Sequence, residues 1–210
     1  MSTQLFINAH IATGMPGSTA AETAAIQDIL VEDGKFISIA PHLKATLEAQ
    51  GKDMASVEVV DLDGKLVCPP FCDTHLHLDY VFTARKPGAV NESGTLFEGI
   101  QRWSETKADL TVDEIKERAK IGIAKEMRHG VQFIRSHADV TDPNLTSLKA
   151  LLELKEELKD TVTLQIVSFP QEGMYSYEGP HGESGADLVE EGLKMGADCV
   201  GGIPHFEQCR

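Results

Sequence analysis

Basic residues are scarce in this chain: 19 Lys and Arg stand against 33 Asp and Glu, for a formal net charge of −14. A surface so poor in cations does not neutralise the phosphates of a nucleic acid or an anionic bilayer. Both partner classes are therefore set aside in favour of a neutral or cationic small molecule. Cysteine is also scarce. Cys68, Cys72, Cys199 and Cys209 are too few and too unevenly spaced for a disulfide framework in 210 residues, so reduced and mostly buried thiols are expected. No apolar run approaches the roughly 20 residues of a membrane span. The start "MSTQLFINAHIATG" has no basic segment leading into a long apolar one, and a cytoplasmic protein is expected. Missing too are Gly-x-Gly-x-x-Gly after a strand and a Gly-Lys-Ser/Thr loop, the two usual backbone cradles for nucleotide phosphates.

What remains reads as two regions. Residues 1–65 carry short β-rich runs, "QLFINAHIAT", "AAIQDILVEDGKFISIAP" and "SVEVVDLDGKLVCPP", punctuated by Asp33-Gly34 and Asp63-Gly64. Such dipeptides between β-rich runs signal hairpins, so a small antiparallel β unit is expected. "HLKATLEAQGKDMA" between them is a loop or short helix. Residues 66–210 change texture: apolar runs beginning at Leu66, Val131, Thr161 and Ala197 alternate with amphipathic stretches at intervals of about 30 residues. Thr111 with Asp113 and Glu114 marks a helix start, His129-Gly130 a stop, and Asp142-Pro143 the opening of the next helix, "PNLTSLKALLELKEELKD". Four strands in this order predict a parallel α/β sheet. The last strand ends in "PHFEQCR" without a covering helix, which suggests a fragment of a larger fold.

Polar residues recur at the ends of these strands. In "LVCPPFCDTHLHLDYVF", His75 and His77 project to one face of an extended strand with Cα atoms roughly 7 Å apart, a spacing from which two imidazoles can converge on one metal ion. With eight histidines in 210 residues, chance alone supplies about 0.3 such pairs per chain, so the spacing is only a hypothesis. Position strengthens it, because active sites of parallel α/β folds gather at the C-terminal ends of the strands. His137 and Asp139 end "FIRSHAD", Gln171 follows "IVSFP", and His205 with Glu207 closes "GGIPHFE". Each also has a plainer reading. His137 can be a satisfied core histidine, Gln171 a loop cap, and Asp79 either an acid that orients a histidine ligand or an ordinary loop aspartate. "HGE" at His181 lacks a following Pro-Cys-x-x-Cys, so the zinc nucleoside deaminase signature is incomplete. The Lys and Glu runs around Lys155 read as a solvated face.

Taken in order, "LVCPPFCDTHLHLD", "ESGTLFEGIQRWSETK", "IRSHADVTDPNLTSLKALLELKE", "LQIVSFPQEG" and "GADCVGGIPHFE" resemble cytosine deaminases of the amidohydrolase superfamily over nearly the whole chain. The resemblance implies a (β/α)8 TIM-type barrel, of which only the first four β/α units are here, preceded by a small β-sandwich. It implies one divalent metal ion, iron or zinc, with His75 and His77 as its ligands on the first strand. Gln171 matches the glutamine that binds the amide edge of a pyrimidine, and Leu96 the position that contacts the base through its backbone. His137, Asp139, His205 and Asp79 match pocket or surrounding positions without an assigned role. The family's glutamate that shuttles protons, and its other metal-site residues, belong beyond Arg210. The remaining barrel half is accordingly expected from a further chain or from residues outside this stretch, and these 210 residues alone are expected to be inactive. A homo-oligomer is expected from the family. The activity implied is hydrolytic deamination of cytosine or a related amino-substituted nitrogen heterocycle. Two alternatives stay open: a degenerate relative serving as a binding or assembly piece, and an amidohydrolase acting on cyclic amides. The second usually needs a carboxylated lysine on the fourth strand, and "ADCVGGIPHFE" contains no lysine.

Overall fold

Two consecutive prolines mark where the chain changes architecture. In the computed structural model, which describes residues 2–11 and 26–207, one unit ends at Pro69 and a second begins at Pro70. Lacking an N–H and fixed in φ, neither proline can carry a strand ladder onward. The strand read as starting near Leu66 is therefore two strands, and the first belongs with the N-terminal unit. Cys209 lies outside the described residues.

The N-terminal unit is one five-stranded sheet built around β1 (Thr3–Ile11). β2 (Ile26–Glu32) and β3 (Lys35–Ala40) follow antiparallel, joined by Asp33-Gly34, whose φ values of 48° and 76° match the twist of a tight hairpin. Asp63-Gly64 is also left-handed but closes no hairpin. It links β4 (Glu58–Asp61) to β5 (Leu66–Val67), and both lie parallel to β1. The wholly antiparallel reading is thus corrected, and the described strands of this unit form one sheet. Helix α1 (Leu43–Ala49) contributes Leu43 to a cluster with Leu5, Leu30 and Val57.

The second unit is a four-stranded parallel sheet in the order β6 (Phe71–Leu76), β7 (Val131–Asp139), β8 (Thr163–Phe169), β9 (Cys199–Val200). Helices α2 (Leu96–Lys107) and α3 (Val112–Arg128) lie between β6 and β7, α4 (Thr146–Glu157) between β7 and β8, and α5 (Gly185–Met195) between β8 and β9. Their starts are chemically marked. Thr95 caps α2, while Thr111 with Glu114 and Ser184 with Asp187 form reciprocal capping boxes on α3 and α5. Helix α4 starts later than Pro143, because the Asp142 carboxylate accepts the N–H groups of Asn144 and Thr146 and so holds a turn first.

Alternation along β7 sends Ile134, Ser136 and Ala138 toward the helices and Phe133, Arg135 and His137 to the other face. The helix-side core joins Ile134, Leu164 and Ile166 to Ile115, Ile123, Leu148, Leu151 and Leu154, each such side chain contributing about 1.5–3 kcal/mol on burial. Cys68 and Cys72 are exposed and Cys199 is half-buried, all three as free thiols, so the expectation of mostly buried cysteines fails for the first two. Among the described residues, no helix is long and apolar enough to cross a membrane.

Candidate active site

Of the polar strand-end residues, His75, His77 and His137 come together at the C-terminal edge of the parallel sheet. The register of β6 on β7 slips between Asp73 and Leu76, where three steps on β6 face two on β7. An irregularity of this kind re-aims side chains next to functional sites, and here it spans Thr74 and His75. The Asp73 carboxylate accepts the His75 N–H at 3.0 Å and pins it. His75 and His77 then stand edge to face with centroids 5.3 Å apart. His137 stacks on His75 at 4.1 Å and lies 5.4 Å from His77, and Phe169 closes the group at 5.6 Å from His77.

Burial pushes the His77 imidazole down to about 4, helped by the neighbouring His137 and His75 and opposed by a hydrogen bond to the His137 backbone. His137 is lowered as well, chiefly by burial and then by His75. Both rings are therefore neutral near pH 7 and keep a lone pair for a ligand. Their Nδ1 atoms are buried and have no hydrogen-bond partner, an arrangement that costs free energy unless something else binds there. Among the described residues, no group of three or more His, Cys, Asp or Glu side chains is placed to hold a metal ion. The donor chemistry thus fits part of a coordination sphere, the unpartnered Nδ1 atoms of His77 and His137 beside the His75 ring, and a divalent ion needs further ligands.

Next to this cluster lies a cavity of about 390 Å³ lined by Tyr80, Asn91, Thr95, Leu96, Trp103 and Gln171, among others. Tyr80 joins the two features, since its ring stacks on His77 at 4.6 Å and meets Trp103 at 4.7 Å. Gln171 is only 4 % exposed and lines the cavity. Leu96 is the first residue of α2, where backbone N–H groups have no partner within the helix. The loop before it is held by Glu98, whose carboxylate accepts the N–H groups of Glu92 and Ser93. Those bonds, with the Ser93 side chain first among the causes, lower the Glu98 carboxyl to about 2.

The two aspartates are buried and serve the frame. Asp79 accepts the backbone N–H of Tyr80 and, at 2.9 Å, that of Asp139. It therefore orients backbone, not a histidine, and burial raises its carboxyl to about 7. Asp139 receives Trp103, Lys107 and Thr141. His205 is exposed and sits 5.1 Å from Phe97 on α2, and Glu207 accepts the backbone N–H groups of Met174 and Tyr175. Sequence reading missed Tyr80, Trp103, Lys107 and Glu172. "RWSETK" carried a Trp and a Lys one helical turn apart, the one signal that could have flagged two of them.

Residues 58–209 match the Amidohydrolase family. The fold of a 5-methylcytosine deaminase from Klebsiella pneumoniae, solved with 5-fluorocytosine, superposes with a TM-score of 0.80 and 40 % identity, over 98 % of this chain and 45 % of that one. An N-isopropylammelide isopropyl amidohydrolase from Pseudomonas sp. (strain ADP) is 30 % identical over 87 % of this chain and 43 % of its own length. A pterin deaminase from Rhizobium rhizogenes is 30 % identical over 70 % of this chain and 32 % of its own. The chain thus spans less than half the length of each of these relatives.

Proposed function

Because the chain belongs to the amidohydrolase family, we propose that it carries the substrate pocket and the first metal ligands of a hydrolytic deaminase. The substrate is cytosine or a related amino-substituted nitrogen heterocycle, and the products are the oxo ring and ammonia. In this reading the four parallel strands are the first β/α units of a (β/α)8 barrel. His75 and His77 hold one divalent ion, iron or zinc, with His137 packed against His75 to limit its rotation. Bound there, such an ion supplies the Lewis acidity that lets water attack at neutral pH.

The remaining work falls to the cavity. The Gln171 amide offers one acceptor and two donors, a match for the adjacent N–H and C=O of a pyrimidine edge. A Leu96 backbone group adds a polar contact, and Tyr80 and Trp103 supply flat apolar walls for a planar ring. Burial strengthens this recognition, because a ring without the amide edge leaves the Gln171 amide unpaired. Among the described residues, no lining side chain is a carboxylate, so the proton-transfer group comes from elsewhere in the active enzyme. The observation that carries the proposal is that Gln171 and Leu96, 75 positions apart in the sequence, line one cavity whose wall Tyr80 stacks on His77. Ammonia release by the intact protein from cytosine, 5-methylcytosine, isoguanine and an aminotriazine tests it. Turnover of at least one ring, lost in His77→Ala, is expected, and a protein that binds none of them and releases no ammonia sinks it.

A further inference from the structure

One buried carboxylate ties together two walls of the cavity that come from different elements. Asp139, at the end of β7, takes five donors: Trp103 Nε1 at 2.7 Å, Lys107 Nζ at 3.0 Å, Thr141 N at 2.8 Å, Thr141 Oγ1 at 2.6 Å and, at a longer 3.4 Å, Gln171 N. A carboxylate offers about four lone-pair sites, so Asp139 is saturated and has no site left to take a proton from a substrate or water. Two of its donors, Trp103 and Gln171, line the cavity. Lys107 completes the tie. Its ammonium reaches Glu172 Oε1 at 2.6 Å and Thr141 Oγ1 at 2.9 Å, and Ser104 Oγ donates to the same Glu172 oxygen. Burial alone would push the Lys107 ammonium down, but Asp139 and Glu172 outweigh it and hold it above its ordinary range.

We propose that Asp139 and Lys107 are positioning residues that set the spacing between Trp103 and Gln171, and so decide how tightly the cavity grips a planar ring. The proposal rests on the deaminase reading of the cavity. Helix α2 carries Leu96 and Trp103 one and a half turns or more apart along one wall, and Gln171 follows β8 on another. Asp139, backed by Lys107 and Glu172, bridges the two. It accepts the Trp103 indole N–H, which fixes the ring plane, and the Gln171 backbone N–H, which fixes where the amide side chain starts. The Asp139 carboxylate makes its contacts with Trp103, Lys107, Thr141 and the Gln171 backbone, and reaches His77 only through its charge, so its hydrogen bonds act on the walls of the cavity.

The test separates grip from chemistry. Trp103→Phe keeps an aromatic wall and removes the indole donor with part of the ring, and Asp139→Asn keeps the shape and removes the charge. Each is expected to raise KM for cytosine about tenfold, the scale of one lost charge-assisted hydrogen bond, with kcat changed less than threefold and metal content unchanged. Trp103 is the single tryptophan of this sequence, so its emission, taken as the difference from Trp103→Phe, reports the wall directly. Acrylamide quenching of that signal should rise at least twofold in Asp139→Asn and Lys107→Met and return toward the parent in Lys107→Arg. Unchanged quenching in Asp139→Asn, or a kcat loss that exceeds the KM change in Trp103→Phe, overturns the proposal. If the parent deaminates no ring, the deaminase reading fails, while the quenching comparison still decides whether Asp139 positions Trp103. Should Lys107→Met not fold, Trp103→Phe and Asp139→Asn carry the decision.

Discussion

Gly192 allows helix α5 to approach the strand that leads to Gln171, and replacing it tests that packing. A Cβ there would run into Ser168 Oγ and stand 3.2 Å from Ser168 Cβ and 3.1 Å from Leu148 Cδ2. Alanine gains about 1 kcal/mol in helix propensity over glycine. Against this, overpacking a filled core costs about 1–3 kcal/mol. The displaced Ser168 hydroxyl also loses its 3.2 Å bond to the Val189 carbonyl and stays buried, another loss of about 1–3 kcal/mol. Gly192→Ala should therefore destabilise by about 1–5 kcal/mol net. Ser168→Ala alone should cost under about 1 kcal/mol, because the Val189 carbonyl keeps its place in the helix ladder. In the double variant the worst contact is gone, and the pair should couple favourably by about 1–3 kcal/mol. Urea unfolding followed by far-ultraviolet circular dichroism measures all four corners of the cycle. A Gly192→Ala protein as stable as the parent, or strictly additive effects, would refute the close approach of α5 to β8.

Three further outcomes follow from the site. Gln171→Leu conserves most of the volume but deletes the amide; it should raise KM for cytosine about tenfold or more in a steady-state ammonia assay, with metal content unchanged. Dialysis against a chelator should abolish ammonia release, and iron or zinc should restore it in the parent but not in His77→Ala. Glu98 should titrate in carbon-detected NMR with a midpoint near 2, held there by the Ser93 and Glu92 donors. Its hold on the loop is complete above the ordinary 4.5 and is lost as pH falls through about 2, so a midpoint near 4.5 contradicts those bonds.

The parallel sheet was legible because its signals are local. Thr111 and Glu114 mark the start of α3 within four residues, and apolar runs of strand length recur at regular intervals. Strand-end position marked His75, His77 and His137, and the structure brings the three to one edge. Topology in the first unit was less legible. Asp63-Gly64 has the chemistry of a hairpin turn, yet β4 and β5 both pair with β1, and no local pattern specifies a partner some 55 residues away. The same limit hid the Lys107 network. Lys107 pairs with Asp139 and Glu172 across 32 and 65 positions, and a lysine near the end of an amphipathic helix reads as solvent-facing until the fold buries it. Asp139 and Asp79 were noticed as acids at strand ends, but a sequence cannot say that their lone pairs are already taken by backbone and indole donors.

In the proposed function, one cavity joins a ring-binding amide to a metal held by the first-strand histidines. A crystal of the intact, metal-loaded protein soaked with cytosine, with data collected at the metal absorption edge, tests it most directly. An anomalous peak is expected about 2.1 Å from a ring nitrogen of both His75 and His77, with the pyrimidine between Tyr80 and Trp103 and its amide edge on Gln171. A metal bound away from these histidines, or a ring bound outside this cavity, would contradict it.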